Sequence, residues 1–422
     1  MTVIGLDDTD SRERGMCTTY VAASLADAVR EAGGDVERRL LVRLNPAVEH
    51  KTRGNAALAV HTDLDPERAL ALARDHLALA ESDDPRTNPG VVVAPGDPTD
   101  VSDRVAAFAR EAVREHHDIA DAVALAEGAD YRTAHGGNGR GRIGALAAVG
   151  GWCAFEDWTY ECISYRERDR WGTDREVDRD SVFRAAARAY PDAWDTVDRG
   201  EGYPVCVPRT PCPVLYGIRG DDPDVVREVA AAVESEPVTR RALFVTNQGT
   251  DAHLRRAAAA TGLRDERAYR LTGEVRDAPE TREGGHVFVT LGDDAGTVEC
   301  VAFEPTKRFR DRVRALRAGD RLTVCGEVSD GALKLEKFAV RELVRSERVT
   351  PDCPDCGWSM ASAGADQGYR CRDCGTAADG KVTRSVDRNL ERGWYEVPPC
   401  ARRHVAKPLV RGGFDAPTHP ER

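Results

Sequence analysis

Apolar and polar positions alternate in blocks along the first 130 residues, and each block predicts one strand or one helix. Short apolar runs predict strands, and apolar residues spaced three or four apart predict helices. The predicted order is a strand at 3–6, a helix at 18–32, strands at 40–44 and 56–60, a helix at 65–80, a strand at 91–93 and a helix capped by Ser102. Because strands that alternate with helices are typical of an α/β domain, we expect one over residues 1–130.

The alternation restarts after residue 130 and predicts a second unit over 131–265. It begins with a glycine-rich loop. The predicted elements that follow are a helix at 142–149, a strand at 158–165, a helix at 181–190, a strand at 214–218, a helix at 223–235 and a strand at 243–246. A chain of 422 residues is too long for one hydrophobic core, so several domains are expected.

Five short apolar segments with glycine or aspartate turns occupy residues 266–347. They predict strands at 268–275, 286–291, 298–303, 320–328 and 333–344, with one helix at 307–317. Five strands with a single helix indicate an OB-fold barrel. Two close cysteine pairs follow within 348–400, and a basic, glycine-containing tail occupies 401–422.

Composition bears on the binding partner. The net charge of −12 argues at first against a nucleic-acid partner. Lysine occurs at only six positions, whereas Asp and Glu total 72, which indicates adaptation to high salt. At 1 M salt the Debye length falls to about 3 Å, so net charge does not exclude RNA. No signal peptide or membrane-spanning segment is expected, and we predict a cytoplasmic protein without an obligate protein partner.

Three carboxylates follow the first predicted strand at Asp7, Asp8 and Asp10. Oxygen ligands of this kind hold Mg²⁺, although a solvated turn is the alternative. Thr18 and Thr19 open the next helix, where a hydroxyl either caps the backbone or accepts a phosphoryl group beside the metal.

Two further loops carry groups that bind phosphates. The first loop combines cations, a hydroxyl and a flexible turn at Lys51, Thr52, Arg53, Gly54 and Asn55, and a plain polar loop is the alternative. The second loop contains Gly136, Gly137, Asn138, Gly139, Arg140 and Gly141 directly before a helix of small residues. Backbone amides and a helix N-terminus could meet phosphate oxygens there, but the loop lacks the lysine and Ser/Thr of a Walker A motif.

Polar side chains also follow the strand predicted at 243–246. They are Thr246, Asn247, Gln248 and Asp251. Open α/β sheets bind ligands at such strand ends, so these residues are predicted to bind substrate, with a capped loop as the alternative.

The cysteine pairs are the most specific local signal. Cys353 and Cys356 form one C-x2-C motif, and Cys371 and Cys374 form the second after 14 intervening residues. This spacing predicts a tetrahedral four-cysteine zinc ribbon, and a filled coordination shell excludes catalysis by that metal. An OB-fold, a zinc ribbon and a basic tail together suggest a grip on RNA, with bases stacking on Phe288, Phe303 or Trp358 unless these are core residues.

Several of these strings together resemble the archaeal tRNA(Ile) 2-agmatinylcytidine synthetases. The similar strings are residues 4–11 (IGLDDTDS), 15–20 (GMCTTY), 51–55 (KTRGN), the glycine-rich residues 136–144 and the 246–251 motif, followed by the OB segment and the cysteine pairs in the family's order. The resemblance covers essentially the whole chain. It implies a kinase-like α/β domain, a ferredoxin-like α+β domain, an OB-fold β-barrel and a four-cysteine zinc ribbon.

The resemblance also implies an activity. ATP with Mg²⁺ would phosphorylate the 2-carbonyl oxygen of the wobble cytidine in the anticodon loop of an isoleucine tRNA, and agmatine would replace that oxygen. Asp7, Asp8 and Asp10 would hold Mg²⁺, Thr18 would be a candidate for autophosphorylation, and Asp251 would be a candidate acceptor for the guanidinium of agmatine. Two alternatives remain open: a metal-dependent small-molecule kinase and a noncatalytic RNA-binding protein.

Overall fold

The computed structural model describes residues 1–13, 15–48, 51 and 54–422. Two large sheets and a small ribbon organise this part of the chain. The fold class predicted from the sequence is confirmed by these elements.

The first sheet has nine strands within the described residues, and its spatial order is β5-β4-β1-β3-β2-β9-β6-β8-β7. The strands are β1 (Thr2–Asp7), β2 (Val36–Arg43), β3 (Ala56–Thr62), β4 (Gly90–Pro95), β5 (Arg132–His135), β6 (Thr159–Arg166), β7 (Ala193–Trp194), β8 (Val214–Gly220) and β9 (Val238–Thr246). Parallel pairing of β2 with β9 joins the strands of the first predicted domain to those of the second. The sheet therefore continues across the boundary predicted at residues 130 and 131.

Helices cover both faces of this sheet. Those of the described chain are α1 (Thr18–Glu31), α2 (Pro66–His76), α3 (Asp103–Ala112), α4 (Ile119–Gly128), α5 (Gly141–Ala154), α6 (Arg179–Ala189), α7 (Pro223–Ala232) and, outside this sheet, α8 (Phe309–Arg314). The α1 helix forms because apolar residues recur at helical spacing, and its Val21, Leu25 and Val29 are buried against the sheet. Each of these buried side chains contributes about 1.5–3 kcal/mol of burial free energy.

The second sheet contains the predicted barrel. Seven of its nine strands in the described residues are β10 (Leu254–Arg256), β11 (Arg267–Val275), β12 (Glu280–Thr281), β13 (Val287–Gly292), β14 (Thr297–Ala302), β15 (Arg321–Ser329) and β16 (Ala332–Glu342). The pairings β11-β13-β14-β16-β15-β11 close a ring of five strands, which is the OB topology. The helix predicted at 307–317 is the shorter α8.

The remaining strands belong to the C-terminal region. They are β17 (Ser346–Val349), β18 (Ala361–Ser362), β19 (Tyr369–Arg370), β20 (Ala377–Ala378), β21 (Val382–Ser385), β22 (Gly393–Glu396) and β23 (Thr418–His419). The strand β22 pairs with β16 of the barrel, so the chain returns to the barrel after the cysteine-rich segment.

Two elements of the first 140 residues are absent from the sequence prediction: α4 and β5. The β5 strand has only four residues, and the apolar positions of α4 are only partly buried. Neither element has a strong periodic pattern. None of the helices in the described ranges combines the length and the apolar character that crossing a membrane requires.

Candidate active-site cleft

A cleft of about 600 Å³ opens at the ends of β1 and β2, beside the first turns of α1 and α5. It brings together nine of the predicted residues, which are Asp7, Asp8, Asp10, Thr18, Lys51, Gly54, Asn55, Arg140 and Gly141. Positions separated by more than 130 residues thus share one wall. Two other predicted residues, Thr52 and Arg53, lie outside the described residues.

The three predicted acidic residues that line the cleft are partly buried. The side chain of Asp8 is 11% exposed, so the solvated-turn interpretation is wrong. Burial raises the pKa of Asp8 to about 6, although the Arg140 guanidinium opposes the shift, and burial together with the Asp8 charge raises the pKa of Asp7 well above its ordinary value. Because adjacent buried carboxylates repel each other, a bound cation would stabilise the ionised pair.

Helix α5 approaches Asp7 closely because two residues of its first turn, Gly141 and Gly144, have no side chain. A Cβ atom at Gly144 would lie 2.0 Å from Asp7 Oδ2, and one at Gly141 would lie 2.7 Å from the Asp7 carbonyl oxygen. Any larger side chain at Gly144 would displace the carboxylate. The glycines of this helix therefore define the position of Asp7.

Thr18 lies at the mouth of α1 and lines the same cleft. Its hydroxyl accepts a hydrogen bond from the Thr9 hydroxyl at 3.1 Å. The residue at the N-cap is Cys17, whose side chain makes no capping hydrogen bond, and Thr18 and Thr19 are the first two helical residues rather than the cap, so the capping interpretation is wrong for the described residues. An uncapped helix N-terminus that opens into the cleft favours anionic ligands there.

The glycine-rich loop contributes a cation to the cleft. Its amides donate within the protein, because Asn138 N–H bonds Asn88 Oδ1 at 3.0 Å and Gly141 N–H bonds the Asn88 carbonyl at 2.9 Å. A Cβ at Gly137 would lie 2.5 Å from Asn88 Oδ1, so this glycine permits the close packing. Of this loop, Arg140 and Gly141 line the cleft, whereas residues 136–139 do not.

The predicted substrate residues at the end of β9 and just after it do not line the cleft. Thr246, Asn247 and Gln248 are fully buried. Asn247 Oδ1 accepts from the backbone N–H of Arg43 at 2.7 Å, and Gln248 Oε1 accepts from its guanidinium at 3.1 Å. These amides hold a cation that does line the cleft.

Asp251 is directed elsewhere. Its carboxylate accepts two hydrogen bonds from Lys337 Nζ, at 2.8 and 2.9 Å, and one from the backbone N–H of Lys407 at 2.7 Å. Asp251 therefore connects the first sheet to the barrel and to the C-terminal segment.

Several charged or titratable residues of the cleft are missing from the predicted site. Among them are Arg43 on β2, Glu161 on β6, Arg219 on β8 and His404 in the C-terminal segment. The available signal was a charged residue inside a strand that is otherwise buried, because such a residue needs a partner. Burial lowers the pKa of Arg43 to about 10.

The four cysteines of the ribbon converge as predicted. Their sulfur atoms lie within 4.8 Å of one another, including 3.3 Å between Cys353 and Cys374 and 3.4 Å between Cys356 and Cys371. A tetrahedral zinc ion with bonds of about 2.3 Å requires sulfurs roughly 3.8 Å apart, so the cluster fits zinc. The apolar core around it is small, and its buried members are Cys353, Met360 and Cys371.

The basic tail does not form a free cationic arm. Arg402 is 3% exposed and pairs with Asp195 and Glu396, while Arg403 pairs with Glu327 and Glu336. Arg402 joins the first sheet to the second through buried ion pairs, whereas the partly exposed Arg403 pairs with two strands of the barrel. The expectation that the tail contributes to RNA binding stays a prediction.

The chain matches four family models. They are a TiaS TCKD domain over residues 3–70, a TiaS FLD domain over 139–253, an OB-fold nucleic acid binding domain over 269–336 and a TiaS C-terminal zinc ribbon domain over 350–390. The zinc ribbon and the OB-fold predicted from the sequence are confirmed by these matches.

Full-length relatives match as well. A protein from Haloquadratum walsbyi, named as the isoleucine tRNA 2-agmatinylcytidine synthetase TiaS, is 56% identical over 100% of both chains. A protein of the same name from Methanosarcina acetivorans is 45% identical over 97% of both chains.

Two solved structures show the same fold. A crystal structure of TiaS in complex with its isoleucine tRNA and ATP is 41% identical and matches with a TM-score of 0.91, covering 100% of this chain and 99% of that one. A complex of TiaS with the same tRNA, AMPCPP and agmatine is 39% identical and matches with a TM-score of 0.87 over the same shares.

Proposed function

We propose a function from one premise: this chain belongs to the family of isoleucine tRNA 2-agmatinylcytidine synthetases. It is an ATP-dependent ligase that joins agmatine to the wobble cytidine of an isoleucine tRNA and forms 2-agmatinylcytidine. The observation that carries this function is the full-length match to structures that hold the isoleucine tRNA, ATP and, with an ATP analogue, agmatine. The cleft supplies the chemical groups that such a reaction needs.

The reaction explains the requirement for ATP. The 2-carbonyl oxygen of cytosine is a poor leaving group, so an amine does not displace it unaided. Phosphorylation of that oxygen lets it depart as phosphate when the amine attacks C2. Catalysis of the phosphoryl step then depends on positioning and on stabilising negative charge.

The acidic end of the cleft is the proposed site of ATP with Mg²⁺. Asp7, Asp8 and Asp10 would hold the ion, and their buried, mutually repelling carboxylates support this role. Bound Mg²⁺ would neutralise phosphate charge during transfer. Lys51 and Arg140 line the same cleft, where their cations would contact phosphate oxygens.

The loop residues have narrower roles in this proposal. Gly54 and Asn55 line the cleft beside Lys51, and Thr52 and Arg53 of the same loop stay predicted phosphate ligands. Gly136, Gly137, Asn138, Gly139 and Gly141 would support Arg140, because their amides and close contacts fix the loop against residues 88–90.

Thr18 is the proposed phosphoryl acceptor on the protein. It is 5% exposed yet lines the cleft, and it lies in the same enclosure as the acids. Because its oxygen already accepts from Thr9, its own proton is directed toward another acceptor. Thr246, Asn247 and Gln248 would serve the substrate site indirectly, through Arg43.

The barrel and the zinc ribbon are the proposed tRNA-holding modules. Trp358 on the ribbon is 69% exposed, which leaves its ring free for stacking, whereas Phe288 and Phe303 are partly buried and carry Arg282 and Lys334 over their rings. The cytidine must leave its stack to reach the cleft, at a cost on the order of a few kcal/mol. We propose a cytoplasmic location, since the zinc thiolates need a reducing compartment.

The decisive experiment incubates the protein with ATP, Mg²⁺, agmatine and an isoleucine tRNA transcript in high salt. Nucleosides from the digested tRNA are then weighed by mass spectrometry. A cytidine heavier by the agmatine increment is expected for the wild type, and none for Asp8→Asn. The control Asp75→Asn changes an exposed acid on α2 and should retain the product.

The same assay separates the alternatives. ATP consumption that is independent of any tRNA would favour a small-molecule kinase. Tight tRNA binding without ATP binding or any change in nucleoside mass would favour a noncatalytic RNA-binding protein.

A further inference from the structure

A cationic group occupies the floor of the cleft beside the acids. Arg43 extends from the end of β2 and Arg219 from β8, and a single carboxylate, Glu161 on β6, lies between them. The distances are 3.9 Å from Arg43 Nη2 to Glu161 Oε2 and 3.5 Å from Arg219 Nε to Glu161 Oε1. Two guanidinium groups face one carboxylate, so this group carries an excess positive charge.

The fully buried side-chain amide of Gln248 fixes the positions of Arg43 and Glu161. Gln248 Nε2 donates to Glu161 Oε2 at 2.5 Å, while Gln248 Oε1 accepts from Arg43 at 3.1 Å. The Gly54 carbonyl also accepts from Arg43 Nη1, at 3.3 Å. A Cβ at Gly54 would lie 2.5 Å from that nitrogen, so the glycine leaves room for the guanidinium.

The donors of the group are only partly used. Within the described ranges, the side chain of Arg219 makes one hydrogen bond, to Glu161, although it is 9% exposed and lines the cleft. Arg43 Nε and His404 Nδ1 are also buried without a partner among the residues described. Burial and the two arginines keep the pKa of His404 well below its ordinary value, so this imidazole adds no charge.

Burying two guanidinium groups against one carboxylate destabilises the folded protein unless a bound anion supplies further acceptors. Burying a guanidinium without a matching acceptor costs several kcal/mol, because the protein replaces water poorly. Planar guanidinium groups bind phosphate oxygens through paired hydrogen bonds. Asp8 directly follows β1, and Arg43 ends β2. Because β3 lies between these two strands, their backbones are separated by roughly 10 Å at a strand spacing of about 4.8 Å.

We propose that Arg43 and Arg219 form a second anion subsite, separate from the metal-binding acids, that holds inorganic phosphate or a phosphate ester. The subsite rests on the proposed function for its physiological ligand. When the amine forms the C2–N bond, the C2–O bond breaks, and its electron pair and oxygen leave with the phosphate. The amine releases one proton to the departing phosphate, and the two arginines receive that anion.

The test measures binding of inorganic phosphate to the full chain by isothermal titration calorimetry, without ATP, Mg²⁺ or tRNA, at one fixed chloride concentration. Arg219→Gln should weaken phosphate binding about tenfold or more, and Arg219→Lys should restore part of it. Arg227→Gln, which changes an exposed arginine on α7, should leave binding unchanged. Because no turnover is needed, failure of this test is distinguishable from failure of the proposed function.

A variant that is expected to bind phosphate more tightly distinguishes loss of the subsite from simple misfolding. Glu161→Gln removes the one carboxylate and should tighten phosphate binding several-fold, which a damaged cleft would not do. Absence of phosphate binding in the wild type, or equal binding in Arg219→Gln, would overturn the subsite.

Steady-state kinetics of Arg219→Gln then identify the source of the anion. If this variant loses product inhibition by phosphate and keeps the wild-type KM for tRNA, the anion is the leaving phosphate. A raised KM for tRNA alone supports a backbone phosphate of the RNA in the same subsite. A raised KM for agmatine alone would overturn the proposal, because it would make Glu161 the ligand-binding group.

Discussion

The carboxylate of Asp8 accepts a hydrogen bond from the guanidinium of Arg140 at 3.2 Å, across 132 positions of sequence. Asp8 follows the first strand, and Arg140 ends the glycine-rich loop before α5. The pair joins two motifs that the sequence shows separately. It also sets the charge of the proposed metal site, since Arg140 opposes the effect of burial on the pKa of Asp8.

Replacing Arg140 with Gln is expected to weaken metal binding. Without the guanidinium the pKa of Asp8 rises above its present value of about 6, so more of this carboxyl is protonated near neutral pH. The half-saturating Mg²⁺ concentration should rise roughly fivefold, equivalent to about 1 kcal/mol, and the acid limb of the activity profile should move to higher pH. Titration of activity with Mg²⁺ at several pH values measures both effects. Arg104→Gln, on the exposed face of α3, should behave as wild type.

Replacing Gly144 with Ala is expected to abolish activity through one contact. The new Cβ would overlap Asp7 Oδ2, although alanine is the better helix former by about 1 kcal/mol. The matched control is Gly128→Ala in α4, where a Cβ meets nothing within 4 Å. Thermal unfolding and the mass-spectrometric assay should show a neutral or stabilised Gly128→Ala that is fully active. An active Gly144→Ala would contradict the placement of Asp7.

Replacing Cys371 with Ser is expected to unfold the ribbon while the cleft stays intact. The ribbon has almost no apolar core, so its stability depends on the metal. Metal analysis should show loss of one zinc ion per chain, and tRNA affinity should fall while ATP binding persists. Cys153→Ser, outside the ribbon, should keep its zinc. Retention of zinc by Cys371→Ser would count against four-cysteine coordination.

Replacing Glu396 with Gln is expected to change how stability depends on pH. Burial raises the pKa of Glu396 to about 7, from an ordinary 4.5, although Arg402 lies 2.8 Å away. A raised pKa in the folded state stabilises the protein below pH 4.5, and this contribution is lost as pH rises through 7. The free energy of unfolding of the variant minus that of wild type should therefore grow by roughly 3 kcal/mol over this range. Urea unfolding at pH 4.5, 6 and 8 measures the slope, and a difference that shrinks as pH rises would refute the prediction.

The order of elements was predictable because it is written in local patterns. The strand at Thr2–Asp7, the helix at Thr18–Glu31 and the five barrel strands follow from periodicity over a few residues. The zinc ligands were predictable for a related reason, since two C-x2-C turns define the geometry of thiolates locally.

The arrangement of the cleft was only partly predictable. Strand ends with acids and glycine loops indicated Asp8 and Arg140. The local signal for Arg43, Glu161 and Arg219, a charged residue within a buried strand, does not reveal which partners they meet or that they line one cleft. The 246–251 motif was identified as important, and yet Asn247 and Gln248 support the cleft from beneath. A polar residue at a strand end can either line a cleft or support it from beneath, and the sequence pattern is the same in both cases.

The sequence by itself determined most of the secondary structure, the zinc ribbon and the family, because each depends on residues close together or on recognisable strings. Only the tertiary structure decided which side chains enter the cleft and that Arg402 and Arg403 of the tail pair with Asp195, Glu396 and Glu336. The physical reason is that these contacts join residues up to about two hundred positions apart. Their formation depends on how sheet, barrel and tail pack, and local periodicity carries no information on that packing.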